Sequence, residues 1–148
     1  MPVNPAVQGR TYPAIRPYVV SRAKIGEFAA AVGASDPAHT DPVAARERGF
    51  ADVIAPPTFA ILIAQQAEGA AILDPEAEID FARLVHGEQS FTHHRPLVAG
   101  DEVTAATTVD SVRSAGGHSM VTLSTAIQTV AGEPVCAARS VLVIRGDA

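Results

Sequence analysis

A proline-free segment rich in alanine, isoleucine and leucine, Thr58–Leu73, places the strongest constraint on how this chain can fold. Its apolar residues do not keep to one face of a helix, and Gly69 weakens only its C-terminal half. A helix that is apolar around most of its circumference must be buried on several sides. The remainder of the chain must therefore provide a surface that wraps around this helix.

The C-terminal part of the sequence provides that surface as strands. Four strand-like runs are separated by glycine-containing turns: Leu84–His94, Glu102–Arg113, Ser119–Val130 and Val135–Arg145. In the third run, apolar and polar residues alternate with the period of two that is typical of a strand with one buried face. A buried helix followed by an antiparallel meander predicts an α+β domain whose curved sheet covers the helix.

The N-terminal half is expected to be less regular. Residues 1–14 are an extended lead-in to a single domain spanning 1–148, and Tyr18–Val20 could form a short strand. Ser21 is a typical helix N-cap and Gly33 a typical helix stop. Between them lies one apolar helical stripe, consisting of Ile25, Phe28, Ala29 and Val32. The segment that follows contains four prolines and, at Val43–Arg48, a possible short helix.

Charge and cysteine content exclude several function classes. The net charge is −5 and the basic residues are not clustered, which argues against nucleic acid and anionic membranes as partners. Cys136 is the single cysteine, so neither an intramolecular disulfide nor a cysteine metal cluster can form. The first residues lack an apolar stretch of signal-peptide length, and no window approaches a membrane span. We expect a cytoplasmic protein without metal or cofactor.

Three stretches carry a resemblance to a known family: Ala31–Pro42 (AVGASDPAHTDP), Val53–Phe59 (VIAPPTF), and Val85–Phe91 (VHGEQSF) with the following Arg95–Asp101 (RPLVAGD). In this order they resemble the MaoC-like and hydratase-2 family. The sequence HGEQ is similar to the non-catalytic, N-terminal type of subunit in that family. The resemblance implies a hotdog fold, in which an antiparallel sheet wraps a long central helix. It also implies a dimer that acts on acyl thioesters of coenzyme A or an acyl carrier protein.

The family interconverts (3R)-hydroxyacyl and trans-2-enoyl thioesters, using an Asp and a His as general acid and base. A backbone N–H at the start of the central helix stabilises the developing oxyanion. The signature His falls on His39, but the signature Asp falls on Ala34 and the signature Asn on Asp36. The oxyanion Gly falls on Pro57, preceded by Pro56, and proline has no N–H to donate. The resemblance therefore implies a catalytically degenerate subunit.

The same resemblance indicates further candidate residues. Thr58 and Phe59, next to Pro57, fall where the acyl chain runs in the family. His86, within HGEQ, either contacts substrate or fixes its strand by bonding to the backbone or Glu88. The adjacent His93 and His94 would point to opposite faces of a strand, a poor arrangement for binding one metal ion.

Three hypotheses remain open. In the first, the chain is the acyl-binding, catalytically degenerate partner of a catalytic MaoC-type subunit in a dehydratase or hydratase. In the second, it is a self-sufficient homodimeric hydratase that uses His39 with Asp36 or His86. In the third, it binds acyl-CoA without chemistry. A thioesterase on the same fold has less support. Hotdog thioesterases usually rely on a carboxylate near the central helix, but residues 58–66 contain none and Glu68 lies far along the helix.

Overall fold

The computed structural model describes residues 2–147. The elements within that range are helices α1 (Arg22–Val32), α2 (Pro42–Glu47) and α3 (Ile61–Ile72), and strands β1 (Tyr18–Val19), β2 (Leu84–His93), β3 (Glu102–Ala115), β4 (His118–Thr129) and β5 (Pro134–Ile144). They form one five-stranded sheet in the order β1-β3-β4-β5-β2, with every pair antiparallel. The predicted α+β arrangement, an antiparallel sheet around a helix, is confirmed.

Helix α3 lies against the inner face of β3 and β4. Most of its buried residues are small, since Ala64, Ala67 and Ala71 accompany Ile63 in the core. Small side chains let the helix approach the sheet closely. Phe59, in the 3-10 turn before α3, is fully buried. Its ring packs edge to face against the ring of Phe28 on α1, with a centroid separation of 5.5 Å.

The lead-in protects one edge of the sheet. Besides β1, it places backbone hydrogen bonds along β3, including Gly9 N–H to Val109 O at 2.7 Å and Tyr12 N–H to Thr107 O at 2.9 Å. The lead-in is therefore not merely extended: it contains a 3-10 turn at Pro5–Val7 and works as an irregular additional strand. The opposite edge is the outer side of β2, and within residues 2–147 no strand pairs with it.

Local capping chemistry sets the helix boundaries. Ser21 Oγ accepts a hydrogen bond from Lys24 N–H at 3.1 Å, and Gly33 ends α1 in the left-handed conformation with φ of 71°. One residue departs from the predicted stripe, because Val32 is exposed in the last turn of α1.

The start of the central helix also differs from the prediction. The segment from Pro57 begins as a 3-10 turn, Pro57–Ala60, and regular helix starts at Ile61. Neither Pro56, which precedes this turn, nor Pro57, its first residue, supplies an N–H group, and the capping residue Pro56 provides no side-chain hydrogen bond. In the part of the chain that the structure describes, no helix is both long and apolar enough to cross a membrane.

Candidate active site and a second cavity

A cavity of about 490 Å³ opens where the central helix begins. It is bounded by the irregular segment before α3, by the end of β2 and by the loop that follows β2. The lining residues are Asp36, His39, Arg48, Ile54, Ala55, Pro56, Pro57, His93, His94, Arg95, Pro96 and Leu97. Three of the residues predicted from the sequence motifs, Asp36, His39 and Pro57, therefore meet at one cavity, which we call the motif cavity.

His39 is held in a defined orientation at the motif cavity. It closes a 3-10 turn, Pro37–His39, and only 7% of its surface is exposed. Its Nδ1–H donates to Ile54 O at 2.7 Å. With that proton on Nδ1, a neutral imidazole presents Nε2 as an acceptor. The ring is therefore arranged as a base facing the cavity.

Asp36 lies beside His39 but is engaged elsewhere. One carboxylate oxygen accepts from Ala38 N–H at 2.9 Å and caps the 3-10 turn, and the other accepts from Arg48 Nη1 at 2.6 Å. These donors stabilise the charged form and hold the pKa of Asp36 below its ordinary value, with the Ala38 N–H as the largest cause. The backbone His39 N–H donates to Asp36 O at 3.0 Å, but within residues 2–147 no hydrogen bond joins the Asp36 carboxylate to the His39 ring.

Pro57 presents a carbonyl rather than an N–H at this cavity. Its oxygen accepts from His93 Nε2–H at 2.8 Å. The two neighbouring candidates lie elsewhere, since neither Thr58, which is exposed, nor Phe59, which is in the core, lines the motif cavity. The strand predicted to extend to His94 ends at His93, and both histidines, which are exposed, line the motif cavity.

Arg95 fixes the wall of the motif cavity after β2. Its guanidinium donates to both carboxylate oxygens of Asp101, at 2.8 and 3.1 Å, and to Glu133 at 2.9 Å. Asp101 in turn accepts from Val98 N–H at 2.8 Å. A bidentate pair of this kind is the stronger form of charge-assisted hydrogen bond. The loop is therefore tied back onto the sheet.

A second cavity, of about 510 Å³, lies along the C-terminal half of α3; we call it the helix-end cavity. Its lining residues are Gln65, Glu68, Gly69, Ile72, Leu73, Phe81, Leu84, His86 and Leu142. His86, predicted as a substrate contact, lines this cavity and not the motif cavity. Since α3 and β2 both run from one cavity to the other, His86 and His39 lie at opposite ends of the helix.

Glu68 is the buried polar group of the helix-end cavity. Only 2% of its surface is exposed, and its carboxyl hydrogen-bonds to Ser140, which is fully buried. Ser140 Oγ also lies 2.7 Å from the side-chain oxygen of Gln89, in the HGEQ stretch. Burial raises the pKa of Glu68, while Ser140 and the charge of His86 act in the opposite direction. Sequence reasoning missed this cluster, although Glu68 is the one charged residue between Ile61 and Ile72.

The described residues contain no group of three or more His, Cys, Asp or Glu side chains arranged to hold a metal ion. Cys136, on β5, is buried in the hydrophobic core, and burial raises the pKa of its thiol to about 11. A thiol with that pKa is protonated and unreactive near neutral pH.

The fold and the motif cavity agree with the family to which the sequence compares. A family model described as FAS1-like, dehydratase domain region, matches residues 6–138. That match covers most of the chain, and the chain therefore belongs to this family of MaoC-like hotdog dehydratases. Over its full length it is similar to UPF0336 proteins. It is 51% identical to the one from Clavibacter michiganensis subsp. michiganensis and 52% identical to the one from Leifsonia xyli subsp. xyli, with 99% of each chain covered in both alignments.

Solved structures give the same picture. A MaoC-like dehydratase superposes with a TM-score of 0.88 at 31% identity, over 95% of this chain and 43% of that one, so this chain spans less than half of that longer protein. A C-terminally truncated HadBC (3R-hydroxyacyl-ACP dehydratase) complex from Mycobacterium tuberculosis gives a TM-score of 0.83 at 28% identity, over 93% of this chain and 96% of that one. The predicted hotdog fold is confirmed.

Proposed function

We propose that this chain is the acyl-binding, catalytically degenerate subunit of a (3R)-hydroxyacyl-thioester dehydratase or trans-2-enoyl-thioester hydratase, paired with a catalytic MaoC-type subunit. The observation that carries the proposal is Pro57 at the start of the central helix. Where family chemistry needs an N–H aimed at the thioester oxygen, this chain has no N–H, and its carbonyl contacts His93.

The expected loss of transition-state stabilisation is large enough to abolish the reaction in this chain alone, rather than only slow it. Loss of one oxyanion donor costs about 2.7–4 kcal/mol of transition-state stabilisation. The absent Asp at position 34 removes a general acid or base whose contribution is about 10²–10⁴-fold. Asp36 is poorly suited to replace it, since a carboxylate paired with Arg48 is held in its charged form. His39 alone remains equipped for proton transfer.

The free edge of β2 supports pairing with a second hotdog subunit. The lead-in covers β3 on one side of the sheet, whereas the outer backbone groups of β2 have no strand partner within residues 2–147. An uncovered edge invites another strand. Two large apolar residues beside this edge, Phe81 and Val85, are exposed. The similar HadBC protein is a complex of hotdog subunits, which agrees with a heterodimer.

The substrate would be an acyl thioester of coenzyme A or an acyl carrier protein, handled in the cytoplasm. Pro57, Thr58 and His86 are the proposed contacts along the acyl path. Phe59 would support that path from the core, because it is fully buried. The partner subunit would provide the Asp, the His and the oxyanion N–H.

The test is hydration of crotonyl-CoA and of a long-chain trans-2-enoyl-CoA, followed by loss of the enoyl absorbance. We expect no turnover by this chain alone, and turnover when it is co-purified with a catalytic MaoC-type subunit. His39→Ala in this chain should leave the activity of the complex within about twofold, because the partner supplies the catalytic groups. Turnover by the isolated chain that His39→Ala abolishes would contradict the proposal.

That contrary result would favour the second candidate, a self-sufficient homodimer. One observation supports it: the Nδ1–H bond to Ile54 O leaves Nε2 of His39 free as a base at the motif cavity. Absence of turnover in every combination, with acyl-CoA still bound, would instead identify a binding module without chemistry.

A further inference from the structure

The helix-end cavity contains a hydrogen-bonded series that the proposed reaction does not use. Glu68 on α3, Ser140 on β5 and Gln89 on β2 form a line of three polar side chains through otherwise apolar packing. The surrounding wall is largely hydrocarbon, including Ile72 and Leu142. Burying a carboxyl group at such a position carries a desolvation cost that leucine or methionine would not have.

Counting protons fixes the direction of the hydrogen bonds. Ser140 has one hydroxyl proton, yet its oxygen contacts a carboxyl oxygen of Glu68 and the amide oxygen of Gln89. The Gln89 amide is oriented by its own N–H group, which donates to Ser90 O at 3.3 Å, so its oxygen faces Ser140. With this amide orientation Ser140 donates to Gln89, and its oxygen accepts from a neutral carboxyl of Glu68.

This arrangement leaves one carboxyl oxygen of Glu68 available to accept a hydrogen bond from a ligand. The oxygen of Glu68 that contacts Ser140 carries the proton, and the second carboxyl oxygen is a carbonyl-type acceptor with no hydrogen-bond partner among residues 2–147. Because Glu68 lines the helix-end cavity, a ligand that fills the cavity and displaces water can satisfy that acceptor only by donating a hydrogen bond. A neutral acceptor in an apolar pocket selects an O–H group over a methylene or a ketone.

We propose that Glu68 is a specificity-determining residue that accepts a hydrogen bond from a hydroxyl group on the distal part of the acyl chain. This inference rests on the proposed function, in which the acyl chain follows α3 from its start. Pro57 and Glu68 are eleven residues apart, which corresponds to roughly 17 Å along the helix. The preferred substrate is therefore a long acyl thioester with a hydroxyl group far from the thioester, rather than a plain hydrocarbon chain.

The experiment compares three hexadecanoyl-CoA probes that carry a hydroxyl group, a keto group or a methylene at the same carbon, with that carbon moved stepwise along the distal half of the chain. Binding to the complex with the catalytic subunit is measured by calorimetry. At one position we expect the hydroxylated probe to bind about tenfold more tightly than the other two, the effect of one well-placed hydrogen bond.

Three variants separate the role of Glu68 from general effects on the cavity. Glu68→Leu should abolish the preference, whereas Glu68→Gln should retain it, because the amide keeps an acceptor oxygen and can still donate to Ser140. Gln65→Leu alters an exposed residue of the same cavity and should leave the preference unchanged. Melting temperatures of all three variants check that the fold is retained.

The outcomes distinguish this inference from the proposed function. Equal affinity for hydroxyl, keto and methylene probes at every position would overturn the role of Glu68 while leaving acyl binding intact. A preference that persists in Glu68→Leu would also overturn it. Failure of every probe to bind, including the unsubstituted one, would overturn the proposed function together with this inference.

Discussion

Two carboxyl groups at opposite ends of the central helix have pKa values shifted in opposite directions. Asp36, at the motif cavity, is exposed, caps a backbone turn and pairs with Arg48, and these donors lower its pKa. Glu68, at the helix-end cavity, is buried against Ser140, and burial raises its pKa. The comparison shows that surroundings, rather than residue type or a motif position, decide whether a carboxyl can give or hold a proton.

The two cavities are also expected to have different roles. Under the proposed function, the motif cavity keeps His39 oriented as a base, but the Asp36 carboxylate is paired with Arg48 and Pro57 has no N–H to donate. The helix-end cavity carries no recognised motif residue except His86, yet it has the buried, pre-positioned group. Function in this subunit is therefore expected to depend on what the chain binds along α3 rather than on chemistry at its start.

The largest expected effect is a gain of hydration activity when the family's carboxyl and N–H are introduced at the motif cavity. In the double variant Ala34→Asp/Pro57→Gly, the motif cavity regains a carboxyl at the signature position and an N–H at the helix start. We expect crotonyl-CoA hydration by the isolated chain to increase by at least about 10²-fold, the effect of one oxyanion donor. The measurement is kcat/KM from loss of enoyl absorbance.

Matched variants show whether the gain has the proposed cause. Ala34→Asp/Pro56→Gly also adds an N–H, but one residue before the oxyanion position, and should give no gain. Adding His39→Ala to the active double variant should remove the gain. If Pro56→Gly works as well as Pro57→Gly, the N–H at the start of the 3-10 turn is not the missing element.

At the other end of α3, Ser140→Ala should destabilise the protein by about 1–3 kcal/mol, because it leaves a buried carboxyl without its partner. Denaturant unfolding measures the effect. Ser90→Ala, on an exposed position of β2, should change stability by less than about 0.5 kcal/mol.

The cost of Ser140→Ala should shrink in a Glu68→Leu background, where no carboxyl remains to be stranded. Additive effects of the two substitutions would show that Ser140 stabilises the sheet independently of Glu68. The double-mutant cycle thus tests the buried hydrogen bond itself.

Local signals account for what could be predicted from the sequence. The N-cap Ser21, the stop at Gly33 and the alternation within β4 act over a few residues, and each predicted its element. The positions of His39 and Pro57 at one cavity followed from the motif resemblance. These features required no knowledge of distant contacts.

Nonlocal contacts account for what could not be predicted. The lead-in was expected to be simply extended, but its hydrogen bonds to β3, such as Tyr12 N–H to Thr107 O, depend on tertiary folding. Glu68 is buried against Ser140, a residue 72 positions away in the chain, so its burial depends on tertiary folding. An isolated Glu in an apolar helix was a visible signal, but its protonation state depends on surroundings that only the fold supplies.

The two carboxyl groups should affect the pH dependence of stability in opposite directions. Because the pKa of folded Glu68 is raised above its ordinary value of 4.5, the folded state holds an extra proton over that interval. The free energy of unfolding must then fall as pH rises from about 4.5 through the raised pKa of Glu68.

Glu68→Gln removes this ionisation, so its stability relative to wild type should improve as pH rises through the interval and then become constant. Urea unfolding at a series of pH values measures the difference. Asp36→Asn is the opposite control: the lowered pKa of Asp36 stabilises the folded state above its ordinary value of 3.8, and this benefit is lost as pH falls. Parallel pH profiles for the two variants would contradict the assigned directions.

The smallest expected effect is that of Arg48→Ala at the motif cavity. The Arg48–Asp36 pair is exposed on both sides, with 51% and 42% of the side-chain surfaces accessible, so its removal should change the stability little. The pKa of Asp36, followed by carboxyl NMR, should rise but stay below its ordinary value, because the Ala38 N–H remains as the larger cause. Arg46→Ala, whose guanidinium contacts Asp52 instead, should leave the Asp36 titration unchanged. Should Arg48→Ala instead produce hydration that depends on both Asp36 and His39, the ion pair, and not the missing N–H, would be what keeps this end of the helix inactive.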